Sequence, residues 1–111
     1  MNLAAPQHIA NYIGGTMQAP LDGKYMDNVN PATGDIYSQT PDSNLKDVEE
    51  AVGAAKAAFP GWSTTPADER FRILNRIAEL IDDNLDALAL AETNDNGKPL
   101  WLSKRVDIPR A

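Results

Sequence analysis

The spacing of apolar and polar positions changes near residue 41. Before it, short runs of β-type residues alternate with glycine-containing turns. Tyr12-Ile13 and Thr16-Met17 flank Gly14-Gly15, a dipeptide suited to the positive φ angles of a tight primed turn. Tyr25 to Val29 and Ile36 to Thr40 form a second pair of runs around Asn30-Pro31-Ala32-Thr33-Gly34-Asp35. There Pro31 presets φ for a turn, and Gly34 can take the left-handed region that closes it. The pattern predicts two β-hairpins over 11–41. Hairpins this short do not stand alone in water, so they need a surface to pack on.

After residue 41 the apolar period becomes helical. Leu45, Val48, Val52, Ala55 and Phe59 recur at spacings of three and four, one stripe on a helix. Asp42, Ser43 or Asn44 can cap its start, Asp47 lies in its first turn, and Pro60-Gly61 is expected to end it. Thr65-Pro66, followed by Asp68 and Glu69, reads as a new start: a capping hydroxyl, then proline at the first helical position. Phe71, Leu74, Ile77, Ala78, Ile81, Leu85 and Leu88 carry the period on, and Ile73 and Leu80 widen the stripe. A break is expected at Asp82-Asp83-Asn84, with Asn84 capping a third helix to about Asn94 and Asn96-Gly97 as a stop. Pro99 can open a last helix through Trp101, Leu102 and Val106, which Pro109 bends or ends. The prediction is an α+β chain: two N-terminal hairpins, then three or four amphipathic helices over 42–111. Phe59, Trp62, Leu74, Ile77, Ile81 and Leu85 are expected to be its most buried positions.

Charge and composition narrow the classes of function. The 111 residues carry a net charge of -6, which argues against binding to nucleic acid or to an anionic membrane surface. There is no cysteine, so disulfides, zinc–thiolate sites and thiol nucleophiles are excluded from this chain. No apolar run approaches the roughly 18 residues of a membrane span. Residues 1–10 lack a basic start and a long apolar stretch, and read as a flexible leader rather than a secretory signal. By elimination the expected location is cytoplasmic.

Candidate chemistry is sparse. His8 has neither a second histidine nor a cysteine near it, so a metal or catalytic role is not assigned. Asp82, Asn84 and Asp86 have the opening spacing of a calcium loop, but Ala87 and Thr93 stand where glycine and glutamate are needed. Asp42-Ser43-Asn44-Leu45 is explained by helix capping better than by a carrier protein's attachment serine. No glycine pattern cradles a phosphate, and no serine sits in a nucleophile elbow. Glu49, Glu50, Glu69 and Glu79 read as solvated helix faces. From the residues alone there is no catalytic constellation, only hairpins, amphipathic helices and an apolar stripe that wants a partner.

A series of blocks points further. Val29-Asn30-Pro31-Ala32-Thr33-Gly34-Asp35 is followed by Asp47-Val48-Glu49-Glu50-Ala51-Val52 and Ala54-Ala55-Lys56-Ala57-Ala58-Phe59. Then come Trp62, Glu69-Arg70, Arg72-Ile73-Leu74 and Ile77-Ala78-Glu79-Leu80-Ile81, and last Glu92-Thr93-Asn94-Asp95-Asn96-Gly97-Lys98-Pro99, an E-x-x-D-x-G-K-P sequence. In this order and spacing, over roughly residues 11–111, the chain resembles the start of an NAD(P)-dependent aldehyde dehydrogenase. Asp107-Ile108-Pro109-Arg110-Ala111 looks like the branch that oxidises aminomuconate and hydroxymuconate semialdehydes.

The resemblance implies the following. Residues 11–111 would be the N-terminal portion of an α/β, Rossmann-like coenzyme-binding domain, with hairpins over 11–41 and helices over 42–111. The parent enzyme would oxidise an aldehyde to a carboxylic acid through a cysteine thioester, with hydride transfer to NAD or NADP. The cysteine, the general base and the coenzyme-binding turn would lie beyond this segment. The segment itself would hold no catalytic and no cofactor-binding residue, and would be inactive alone. By position, Asn28, Val29 (through its carbonyl) and Asp95 would help to hold a monovalent cation, and Lys98 would be a helix-end charge. The expected partner is the remainder of the dehydrogenase chain, and self-association of the isolated segment is expected as well. The alternative is a stand-alone, non-catalytic helical interaction module.

Overall fold

A computed structural model describes residues 8–111. Most of the leader expected over 1–10 lies outside the described residues. The order is β1 (Asn11–Ile13), β2 (Thr16–Gln18), β3 (Tyr25–Val29), β4 (Ile36–Pro41), α1 (Leu45–Thr64), α2 (Ala67–Asp83), α3 (Leu85–Asn96) and α4 (Leu100–Leu102). The last segment then widens to a π turn over Ser103–Asp107 and tightens to a 3-10 turn over Ile108–Arg110. Two hairpins followed by helices is the architecture that the spacing predicts. The chain forms two compact units. Of the described residues, one holds 8–28 together with Ile36–Thr65; the other holds Val29–Asp35 and Pro66–Ala111.

In the first unit β1 and β2 pair antiparallel, Asn11 with Gln18 and Ile13 with Thr16, across Gly14-Gly15. Both glycines have positive φ, 59° and 83°, as a two-residue primed loop requires. His8 forms a parallel bridge with Gln39 of β4, and its ring stacks on Tyr25 at 4.6 Å. The surface that the hairpins need is the start of α1. Asp47 is 4% exposed, and its carboxylate accepts from the backbone N–H of Leu21 and of Asn44, both at 2.8 Å. Asn44 is the N-cap: its Oδ1 accepts from Lys46 N, and with Asp47 it completes a capping box. Asn44 Nδ2 also donates to Asp22, and Asn11 Nδ2 to Ser43 Oγ.

The expected end of α1 at Pro60-Gly61 is corrected: the helix runs through both to Thr64. Proline removes one N–H donor. That leaves the carbonyl of Lys56, one turn earlier, without its helical partner, a loss the helix absorbs; at its C-terminal end the hydroxyls of Ser63 and Thr64 donate to Pro60 O, and Thr65 Oγ1 donates to Gly61 O, so last-turn carbonyls are served. The Thr65 hydroxyl therefore finishes α1 and does not cap α2, whose N-cap is Pro66 with no side-chain bond.

In the second unit Asn84 stands at the N-cap position of α3, as expected, but makes no side-chain cap bond there; its Nδ2 donates back to Leu80 O at the end of α2. The C-terminal segment folds against α3. Ser103 is fully buried, and its Oγ is 3.1 Å from Thr93 Oγ1. Lys104 pairs with Asp86 at 2.8 Å and Lys98 with Asp107 at 2.9 Å.

The expected core is also corrected. Phe59 is 65% exposed and Leu74 61%; Trp62 and Ile77 are exposed too, while Ile81 and Leu85 are half-buried. Among the described residues Ala89 and Pro20 are the buried apolar positions, and no residue of α2 is buried. Periodicity identifies which side chains share a face, but burial requires another surface against that face. On α1 the face turned toward the first hairpin and Leu21 carries Asp47 and Ala54, with Ala54 Cβ 3.9 Å from where a Gly14 Cβ would stand. At 100° per residue, the stripe from Val48 to Phe59 lies roughly a third of a turn away from it.

Candidate functional site

Two turns of the second unit meet. The Asn30–Asp35 turn is closed by Asn30 N donating to Asp35 O, with Thr33 N and Gly34 N both donating to Asn30 O. Asn30 Oδ1 accepts from Ala32 N, an Asx turn that sets the direction of Pro31. At the end of α3, Gly97 takes φ +76° and donates its N–H to Thr93 O. A Cβ built on Gly97 would stand 3.0 Å from Pro31 Cγ. Gly97 is thus required twice, by its left-handed backbone and by the approach of the proline ring.

Two of the three expected cation ligands, Val29 and Asp95, belong to the unit in which these turns meet. Val29 ends β3 and opens the turn segment, and Asp95 is exposed in the last turn of α3, in the same unit. Asn28 belongs to the other unit. It is half-buried, and its Nδ2 donates to Tyr37 Oη at 3.0 Å and to Ser38 Oγ at 3.1 Å. That fixes the amide and identifies its Oδ1 as the acceptor face. Tyr37 and Ser38 were not legible as part of this arrangement; the one available signal was their place on the strand that pairs with β3. Among the described residues no group of three or more His, Cys, Asp or Glu could hold a metal ion. Lys98 is held by Asp107, as suits a helix-end charge.

The second unit also has an open groove of about 420 Å³ between α2 and α3, walled by Ile77, Leu80, Ile81, Leu88 and Ala91. Its lining is mostly apolar, with Asn84 at the helix junction as its polar member, so it offers chiefly contact area. No helix among the described residues is long and apolar enough to cross a membrane.

Similarity to known proteins gives these features a frame. The aldehyde dehydrogenase family model matches residues 18–111. The 2-aminomuconic semialdehyde dehydrogenase of Bos taurus is 44% identical over 103 residues, 93% of this chain and 21% of its own length. Among solved structures, PnpE in complex with nicotinamide adenine dinucleotide superposes with a TM-score of 0.89 at 35% identity, covering 95% of this chain and 21% of that one. An indole-3-acetaldehyde dehydrogenase mutant, AldA of P. syringae in complex with NAD+ and IAA, gives 0.91 at 33%, covering 97% and 22%. The chain thus spans about a fifth of the length of these relatives, in their N-terminal region. It belongs to the aldehyde dehydrogenase family.

Proposed function

We propose that the chain is the opening portion of an enzyme that oxidises an aldehyde to a carboxylic acid with NAD or NADP, a semialdehyde being the favoured substrate class. The observation that carries this reading is the family match over residues 18–111. The semialdehyde preference is supported by 44% identity to a 2-aminomuconic semialdehyde dehydrogenase. Residues 11–111 form part of the coenzyme-binding domain in this reading, and 1–10 are its leader. The nicotinamide, when bound by the parent enzyme, accepts the hydride. This chain has no thiol to form the acyl intermediate. Its contribution is structural: the hairpins and helices enclose and support the domain, and the bare α2 face docks on the remainder of the dehydrogenase. The cysteine-free, acidic composition supports a cytoplasmic location.

Asn28 Oδ1, the Val29 carbonyl and the Asp95 carboxylate are the groups that would hold a monovalent cation. Their support is the hard-oxygen donor set and the meeting of the Pro31 and Gly97 turns beside two of them. Such an ion would tie the end of β3 to the end of α3 and takes no part in the oxidation.

Aldehyde-dependent reduction of NAD or NADP, followed by the absorbance of the reduced nicotinamide, tests the reading. The 111-residue chain is expected to be inactive and the longer dehydrogenase active. Turnover by the short chain, or none by the longer one on any aldehyde or semialdehyde, would overturn it. The second reading, a non-catalytic module, draws on the exposed apolar groove. Sedimentation across concentrations separates them: a strictly monomeric, cooperatively melting chain favours the module, and self-association or marginal stability favours the segment.

A further inference from the structure

We propose that Asn96 is a site of spontaneous deamidation whose rate is gated by opening of the α3 C-terminal turn. Asn96-Gly97 is the single Asn-Gly dipeptide in the sequence. With no side chain on the following residue, the Gly97 backbone nitrogen can attack Asn96 Cγ. The Cγ–Nδ2 bond then breaks, ammonia leaves with the Gly97 amide proton, and a succinimide ring forms. Water opens that ring at either carbonyl, giving aspartate or isoaspartate. No oxidant or cofactor enters.

Both residues are exposed, so water has access. Yet the folded turn holds each reacting group in a bond that the reaction must break. The Gly97 N–H, whose nitrogen is the nucleophile, is engaged by Thr93 O at 2.9 Å. The leaving amide is tied to Glu92 Oε1 at 2.6 Å, and Asn96 Oδ1 accepts from Lys98 N at 2.9 Å. Pro31 closes the other side of Gly97. Attack therefore requires the last turn of α3 to open, a local fluctuation of the kind that frays helix ends. The product would be self-reinforcing. A carboxylate at 96 would face Glu92 four residues away and sit at the negative end of the helix dipole, and both weaken the turn that protected the amide.

The test follows amide loss at each asparagine by mass spectrometry of peptides, after incubating the purified protein at mildly alkaline pH with and without urea. In urea, Asn96 should convert ahead of every other asparagine. Without urea its conversion should be slower by about tenfold or more. Glu92→Ala, which frees the amide while keeping a good helix former, should speed conversion in the folded protein and match the parent in urea. Equal rates with and without urea would overturn the gating, and so would a Glu92→Ala protein that converts no faster when folded. Conversion of another asparagine ahead of Asn96 in urea would overturn the site.

Discussion

The start of α1 and the body of α2 handle their side chains in opposite ways. Around Asp47 the chain buries a charge and satisfies it: two backbone donors, a capping box and a neighbouring Asn44–Asp22 bond surround the carboxylate. Along α2 the chain carries a wide apolar stripe and buries none of it, with Phe71 66% exposed. The first arrangement is complete because its partners lie within the same hairpin-and-helix unit. The second has a face that stays largely uncovered among the described residues. Polar satisfaction here is local, whereas apolar burial depends on surface supplied from elsewhere.

The largest effect should come from breaking the satisfied side of that contrast. Asp47→Ala leaves the N–H groups of Leu21 and Asn44 without their acceptor in a buried place. It should lower the unfolding free energy by about 2–4 kcal/mol, read from urea melts. Asp47→Asn keeps one acceptor oxygen and should cost about half as much. A loss no larger than that of a surface substitution would show that the carboxylate does not organise this unit.

The second unit has its own tight point at Gly97. Gly97→Ala must place a side chain at φ +76° with its Cβ 3.0 Å from Pro31. The left-handed backbone alone costs about 1–2 kcal/mol, and the melting temperature should fall accordingly. Exchange of the Gly97 amide with solvent should quicken if the turn opens. A smaller effect is expected at Lys98. Its pair with Asp107 is partly exposed, so Lys98→Ala should cost about 0.5–1 kcal/mol and less in high salt. A cost that does not shrink with salt would point to packing of the lysine stem instead.

These positions also show what the sequence discloses. The Gly14-Gly15 loop, the capping signals at Asn44 and Asp47 and the stop at Gly97 each depend on residues within a few positions, and all were legible. Thr65 and Asn84 have N-cap chemistry, but their side chains serve carbonyls behind them, Gly61 O and Leu80 O. A polar side chain at a helix junction faces orphan acceptors on one side and orphan donors on the other. Spacing alone does not choose between them. Pro60 misled for a different reason: a proline inside a helix removes one bond without obliging the helix to stop, and α1 continues to Thr64. The contact of Pro31 with Gly97 joins turns far apart in sequence, so no local pattern reveals it, although each turn was foreseen. The apolar stripes were found but their burial was not, because a period of 3.6 says nothing about what stands opposite.

The smallest effect in this chain should come from the bare side of the contrast, and it is the most informative. Leu74 is 61% exposed on α2, so truncating it removes little buried area. In the 111-residue chain Leu74→Ala should change stability by no more than about 0.5 kcal/mol, as for a surface substitution. If the α2 face packs on the remainder of a dehydrogenase, the same substitution in the longer protein should cost about 2–5 kcal/mol, the range for emptying a core site. Phe71→Ala should behave alike. The two measurements form a cycle in which only the presence of the covering surface differs. A large loss in both chains would mean that the face is already buried in the short one, through self-association, and the loss should then fall with dilution. A negligible loss in both would leave α2 uncovered in the longer protein as well, and would remove the docking role assigned to that face.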